Sequence, residues 1–124
     1  MIKEFETEDR FQAACHTWLW NTYQQTRRCF FHVANELQKM KGESTKAYMI
    51  RLAKHLAKGA VPGTHDNIFI WAGKVYTIEL KLPNGTISDE QIAFAEAVRE
   101  QGAIVYYCWT MEQFQKTIKK IMQL

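Results

Sequence analysis

Residues 62–91 read PGTHDNIFIWAGKVYTIELKLPNGTISDEQ, and the fold turns on how this stretch is arranged. Two apolar-rich runs, 67–71 and 75–80, flank a turn at Ala72-Gly73, the pattern of a β-hairpin. A hairpin symmetric about that turn sets Trp71 against Lys74 and Ile68 against Thr77, and so brings Asp66 opposite Glu79. Directly opposed residues point to the same sheet face, with Cβ atoms roughly 4.5–5.5 Å apart. The strand period of two puts Lys81 on that face as well. Two carboxylates this close repel unless one takes a proton or a cation sits between them. With a lysine beside the pair, the spacing points to a metal-dependent hydrolytic site.

Each of these residues also has a plainer reading. Glu79 sits in VYTIELKL, where both strand faces look apolar, so it is either paired or metal-bound, or it lies on the exposed face of an edge strand. Asp66 follows the turn-rich Pro62-Gly63-Thr64-His65 and would equally suit a turn cap. Lys81 is either a solvated strand end or an ammonium able to neutralise charge on a phosphate.

Outward from the hairpin, a first helix is predicted to start near Thr7, with Glu8 and Asp9 in its first turn favouring the macrodipole. Phe11, Ala14, Cys15, Trp18 and Leu19 form its apolar stripe, which Glu8 extends. Residues 29–34, CFFHVA, read as a strand. A second helix over 44–58 is expected to turn Met49, Ala53, Leu56 and Ala57 inward. Its other face carries Lys46, Arg51, Lys54, His55 and Lys58, a solvated surface or, beside a phosphodiester site, a DNA-backbone contact. Ser88 and Gln91 make a capping box opening a third helix that stops before Gly102. Residues 103–109 read as a buried strand, and a last helix turns Met111, Phe114, Ile118 and Ile121 inward. The predicted order is α-β-α-β-β-α-β-α over one domain, residues 1–124. This is an α/β fold with a mixed β-sheet flanked by helices.

The 124 residues are 47% hydrophobic and 23% charged, ordinary values for a globular chain, which excludes disordered and fibrous classes. A net charge of +3 is compatible with nucleic acid without being diagnostic. Cys15, Cys29 and Cys108 are odd in number and set in apolar segments, so buried reduced thiols are expected. MIKEFETEDR lacks a signal-peptide pattern, and the run 103–109 is too short to span a bilayer; a soluble cytoplasmic protein with no membrane partner is the expectation. His16, His32, His55 and His65 show no zinc-site spacing, and no nucleotide-binding loop or serine-hydrolase elbow occurs.

Gly63, Asp66, IELK at 78–81, Ser88 and Gln91 together resemble the PD-(D/E)xK nuclease superfamily, and within it the small stand-alone VRR-NUC domains of phages and bacteria. The resemblance runs from the Glu8/Gln12 helix to the C-terminal helix. It includes an Asn after the first strand (Asn35) and a glycine-to-strand passage over 102–107. It implies a restriction-endonuclease-like fold with Asp66 and Glu79 as metal-binding carboxylates helped by the Leu80 carbonyl. It further implies Lys81 as the catalytic lysine, Glu8 as an auxiliary acid, and a contribution from Gln91. The cofactor implied is Mg²⁺ or Mn²⁺. The activity implied is that of an endonuclease hydrolysing DNA phosphodiester bonds, acting as a homodimer on branched DNA such as Holliday junctions, in a bacterial or phage-infected cell. His65 departs from the apolar residue or proline more usual before the aspartate, which bears on loop shape and substrate preference. A nickase, a single-strand nuclease, a restriction-like endonuclease and a catalytically silent nucleic-acid- or protein-binding module are the alternatives.

Overall fold

The first helix begins where Thr7 caps it, the Thr7 side chain accepting from the Arg10 amide at 3.1 Å. This computed structural model describes residues 3–34 and 37–124; Asn35 lies outside the described residues. Helix α1 spans Glu8–Thr22 and buries Phe11, Cys15 and Leu19. A short 3-10 turn over Gln24–Thr26, absent from the sequence expectation, follows. Strand β1 covers Phe30–His32, shorter than the predicted 29–34. Its flanking residues still bond to the next strand: Ile70 donates to the Cys29 carbonyl at 2.9 Å and Val33 to the Asp66 carbonyl at 2.7 Å. Helix α2 follows over Thr45–Ala57, capped by Ser44. Strands β2 (Asn67–Trp71) and β3 (Lys74–Leu80) form the hairpin, α3 spans Asp89–Glu100, β4 spans Ile104–Cys108 and α4 spans Met111–Met122.

The four strands form one mixed sheet in the order β1-β2-β3-β4, antiparallel except for the parallel β3–β4 pair. The hairpin register is the one its turn symmetry predicts, with Trp71 paired to Lys74 and Ile68 to Thr77. Ala72 and Gly73 take φ values of 50° and 77°. Two consecutive left-handed residues match the right-handed twist of the strands they join, which closes the turn in two residues.

Strand alternation divides the side chains between two faces. Phe69, Tyr76, Ile78, Leu80 and Cys108 point to one, where Phe11, Leu19, Phe114 and Ile118 of α1 and α4 complete the core. On the other face α3 lies over the sheet, and Phe94 and Val98 border a cavity of about 360 Å³ shared with Ile68, Val75 and Thr77. Cys15 and Cys108 are buried thiols as expected, but Cys29, next to edge strand β1, is only half-buried. Among the described residues no helix is long and apolar enough to cross a membrane.

Helix α2 overturns one expectation. None of its residues is buried, and Met49, Ala53, Leu56 and Ala57, read as its inward stripe, are all exposed. Tyr48, Arg51, Leu52 and His55 turn toward the body of the protein instead. Arg51 reaches Glu43 at 2.8 Å and the Gln38 carbonyl at 2.7 Å, holding the helix by a polar clasp where an apolar one was expected. The Arg51 hydrogen bond and then the Met40 amide hold the Glu43 carboxyl down to about 2.

Candidate active site

Asp66 and Glu79 meet one step beyond the last paired residues of β2 and β3, each carboxylate held by the other's strand. The Asp66 amide donates to Glu79 Oε1 at 2.9 Å, and the Leu80 amide donates to Asp66 Oδ2 at 3.1 Å. The second Glu79 oxygen, Oε2, accepts from Gln91 Nε2 at 2.9 Å and lies 3.6 Å from Lys81 Nζ. Gln91 has no freedom in this: its Oε1 accepts from the Ser88 amide at 3.0 Å in the capping box of α3, so its NH₂ must face the acid. One side chain thus closes the helix end and orients Glu79.

Glu79 and Lys81 retain only 2% and 9% of their exposure. Strand β3 lies between β2 and β4, which removes the edge-strand reading of Glu79 and the solvated reading of Lys81. Burial, and then the charge of Asp66, push the Glu79 carboxyl up to about 8, against the opposing pull of the Asp66 amide and Lys81. Both Glu79 oxygens nevertheless receive N–H donors, which suits an anion better than an acid. A cation beside the two carboxylates would resolve that conflict.

The acids open into a cavity of about 400 Å³ whose lining includes Glu8, Asp9, Gln12, His32, Gln38 and Lys81. Glu8 reaches this cavity from the exposed first turn of α1 and so does not extend the buried stripe that its spacing predicted. Leu80 sends its side chain into the core and its amide to Asp66. Lys46, Arg51, Lys54 and Lys58 do not line the cavity.

The chain matches no model of a known family, no curated protein and no solved structure. What the site can do therefore rests on its own chemistry. Its donors are oxygens, the set that suits a hard divalent cation keeping several of its waters. Among the described residues no three His, Cys, Asp or Glu side chains converge in metal-holding geometry. A cation here would rest on Asp66, Glu79, backbone carbonyl oxygen and water.

Two supporting residues escaped the sequence reading. Asn67 is fully buried on the core face, where it exchanges two hydrogen bonds with Gln12, at 2.8 and 2.9 Å, and ties α1 to the hairpin. Its polar side chain at an inward strand position was the available signal. His65 is also fully buried, with Nδ1 2.9 Å from Thr77 Oγ1 and Nε2 3.3 Å from both the Gln91 carbonyl and the Tyr107 hydroxyl. It fills the apolar slot before the aspartate while joining the hairpin to α3 and β4. Burial lowers its pKa to about 4.

These two shifts act on stability in opposite directions. Unfolded, His65 takes its proton near 6.5, but folded only near 4, so stability is lost as pH falls through that window. Glu79 keeps its proton up to about 8 when folded but releases it near 4.5 when unfolded, so stability is lost as pH rises. Above pH 6.5 only the Glu79 contribution remains of the two. Thermal unfolding in EDTA is therefore expected to show Tm falling between about pH 6.5 and 8. A flat or rising Tm over that range would contradict the buried-acid assignment.

Proposed function

We propose that this chain is a Mg²⁺- or Mn²⁺-dependent endodeoxyribonuclease of restriction-endonuclease-like fold, a stand-alone VRR-NUC domain acting as a homodimer on branched DNA. The observation that carries the reading is the opposed Asp66–Glu79 pair, Glu79 buried and Asp66 half-buried, with Lys81 beside it and an acid-lined cavity in front. Folding stability alone gives little reason to bury Glu79 against a second carboxylate, because its desolvation outweighs what the pair returns without a cation.

Asp66, Glu79 and the Leu80 carbonyl would hold the metal ion. When bound, it would lower the pKa of an attacking water and polarise the phosphoryl oxygen. Lys81 places its ammonium where negative charge grows on the phosphate during in-line displacement, and its burial strengthens that interaction. Gln91 keeps Glu79 in one rotamer, so the acid is set before substrate arrives. Glu8, at the cavity wall, would act as an auxiliary acid. A two-fold dimer would present two such sites to the paired strands of a junction.

Purified protein incubated with linear duplex, single-stranded and four-way-junction DNA tests the reading directly. Cleavage is expected with Mg²⁺ or Mn²⁺, preferentially of the junction, and none in EDTA. No cleavage of any substrate with either metal would sink it.

A further inference from the structure

The outward faces of α2 and α3 are exposed and opposite in charge. The outward side of helix α2 carries Lys46 and Lys54 and no acid, and Lys58 follows at its C-terminal cap. Met49 and Ile50, 53% and 50% exposed, lie among the lysines with Ala53 and Ala57. Helix α3 carries four carboxylates against one arginine. Asp89, Glu96 and Glu100 share its outward side with Ala93 and Ala97, and Ile92 beside them is 43% exposed. Among the described residues none of these three lysines or three acids pairs with an opposite charge. Along each helix the charges extend over three turns, roughly 17–18 Å at 1.5 Å per residue.

We infer that these two faces are the dimer interface: α2 of one copy packs on α3 of a second copy of this chain, and the two-fold operation repeats the contact. This names the surface for the homodimer proposed above and rests on that reading only for the choice of a second copy. Charge complementarity favours that occupant, since each chain carries both the basic and the acidic half of the contact, as an isologous interface requires. A DNA backbone would use the lysines but leave Met49 and Ile50 in water and repel α3. A helix as short as α2 that buries none of its own residues draws its stability from packing, and this contact would supply it. Because α3 also carries Gln91, the interface would lie one helix thickness from each catalytic acid.

Sedimentation of the full chain tests the surface without reference to catalysis. Wild type is expected to sediment as a dimer. Lys54→Glu with Lys58→Glu, and separately Glu96→Lys with Glu100→Lys, are each expected to raise the dimer dissociation constant roughly 100-fold, through like charges facing across the contact. Mixed in equal amounts, the two variants are expected to form a heterodimer, because each then meets an opposite charge at both repeats. A variant that had merely unfolded would not be rescued by mixing, and far-ultraviolet circular dichroism of each variant checks the fold. A monomeric wild type, or charge-reversed variants that remain dimers, would overturn the inference. Loss of DNA affinity with the dimer intact would also overturn it and assign the lysines to DNA. Dimers that cleave no DNA would leave this surface standing and remove the nuclease reading; monomers that cleave would do the reverse.

Discussion

Glu79→Ala is expected to lower metal-dependent DNA cleavage by roughly 1000-fold or more, the scale on which removal of one preorganised electrostatic group acts. Lys81→Ala is expected to match it, and Lys81→Arg to recover little, because a planar guanidinium cannot replace a compact ammonium in a buried slot. Neither alanine substitution touches the core, which lies on the opposite face of β3. Glu79→Ala leaves the Asp66 amide and the Gln91 NH₂ without their acceptor, a cost of about 1–3 kcal/mol for each group that finds no water. It also removes an anion that burial and Asp66 both disfavour, so the fold should persist. Single-turnover cleavage with circular dichroism as the control reads both effects. Undiminished activity in Glu79→Ala would remove these residues from the site even in a working nuclease.

Gly63→Ala is expected to cost roughly 2–4 kcal/mol of stability, the sum of a left-handed backbone penalty and overpacking. Gly63 holds a φ of 81° and packs against the first turn of α3, where an added methyl would meet the Glu90 carbonyl and come within 2.7 Å of the Gln91 amide nitrogen. Both neighbours are backbone and cannot swing aside. Gly59 supplies the control: its φ is 104°, yet nothing lies within 4 Å of an added methyl there. Gly59→Ala should therefore show the backbone penalty alone, about 1 kcal/mol. Urea denaturation of both variants separates the two contributions, and equal losses would show that the approach to α3 carries no weight. Gly63→Ala should also weaken the site, since displacing Gln91 releases Glu79.

The hairpin was legible because its information is local. Alternation and a two-residue turn set the register, and the register alone placed Asp66 against Glu79. Helix α2 misled for a related reason: a periodic apolar stripe shows that a helix has two faces, but what covers either one depends on distant chain. The pattern at Met49, Ala53, Leu56 and Ala57 is the same whether the core or a second molecule receives it. Asn67 and His65 were missed because their burial is tolerated only through partners far along the sequence. Gln12 stands 55 residues from Asn67, and Gln91 stands 26 from His65. Glu8 was placed by spacing in the buried stripe, whereas the exposed first turn of α1 carries it to the cavity. Spacing alone gave Gln91 only its capping role, and its contribution to the site came from the resemblance, since a second hydrogen bond from the same amide has no signature in spacing.

That shared amide sets a limit on heat tolerance. Helix ends open locally at free energies well below that of global unfolding. Where a helix end does nothing but end, such fraying passes unnoticed. In this chain each opening of the first turn of α3 releases Gln91 from Ser88 and so unsettles the amide that donates to Glu79 Oε2. Part of the acid's orientation therefore depends on a single turn of helix, and warming should weaken the site while the core beneath the sheet is still intact.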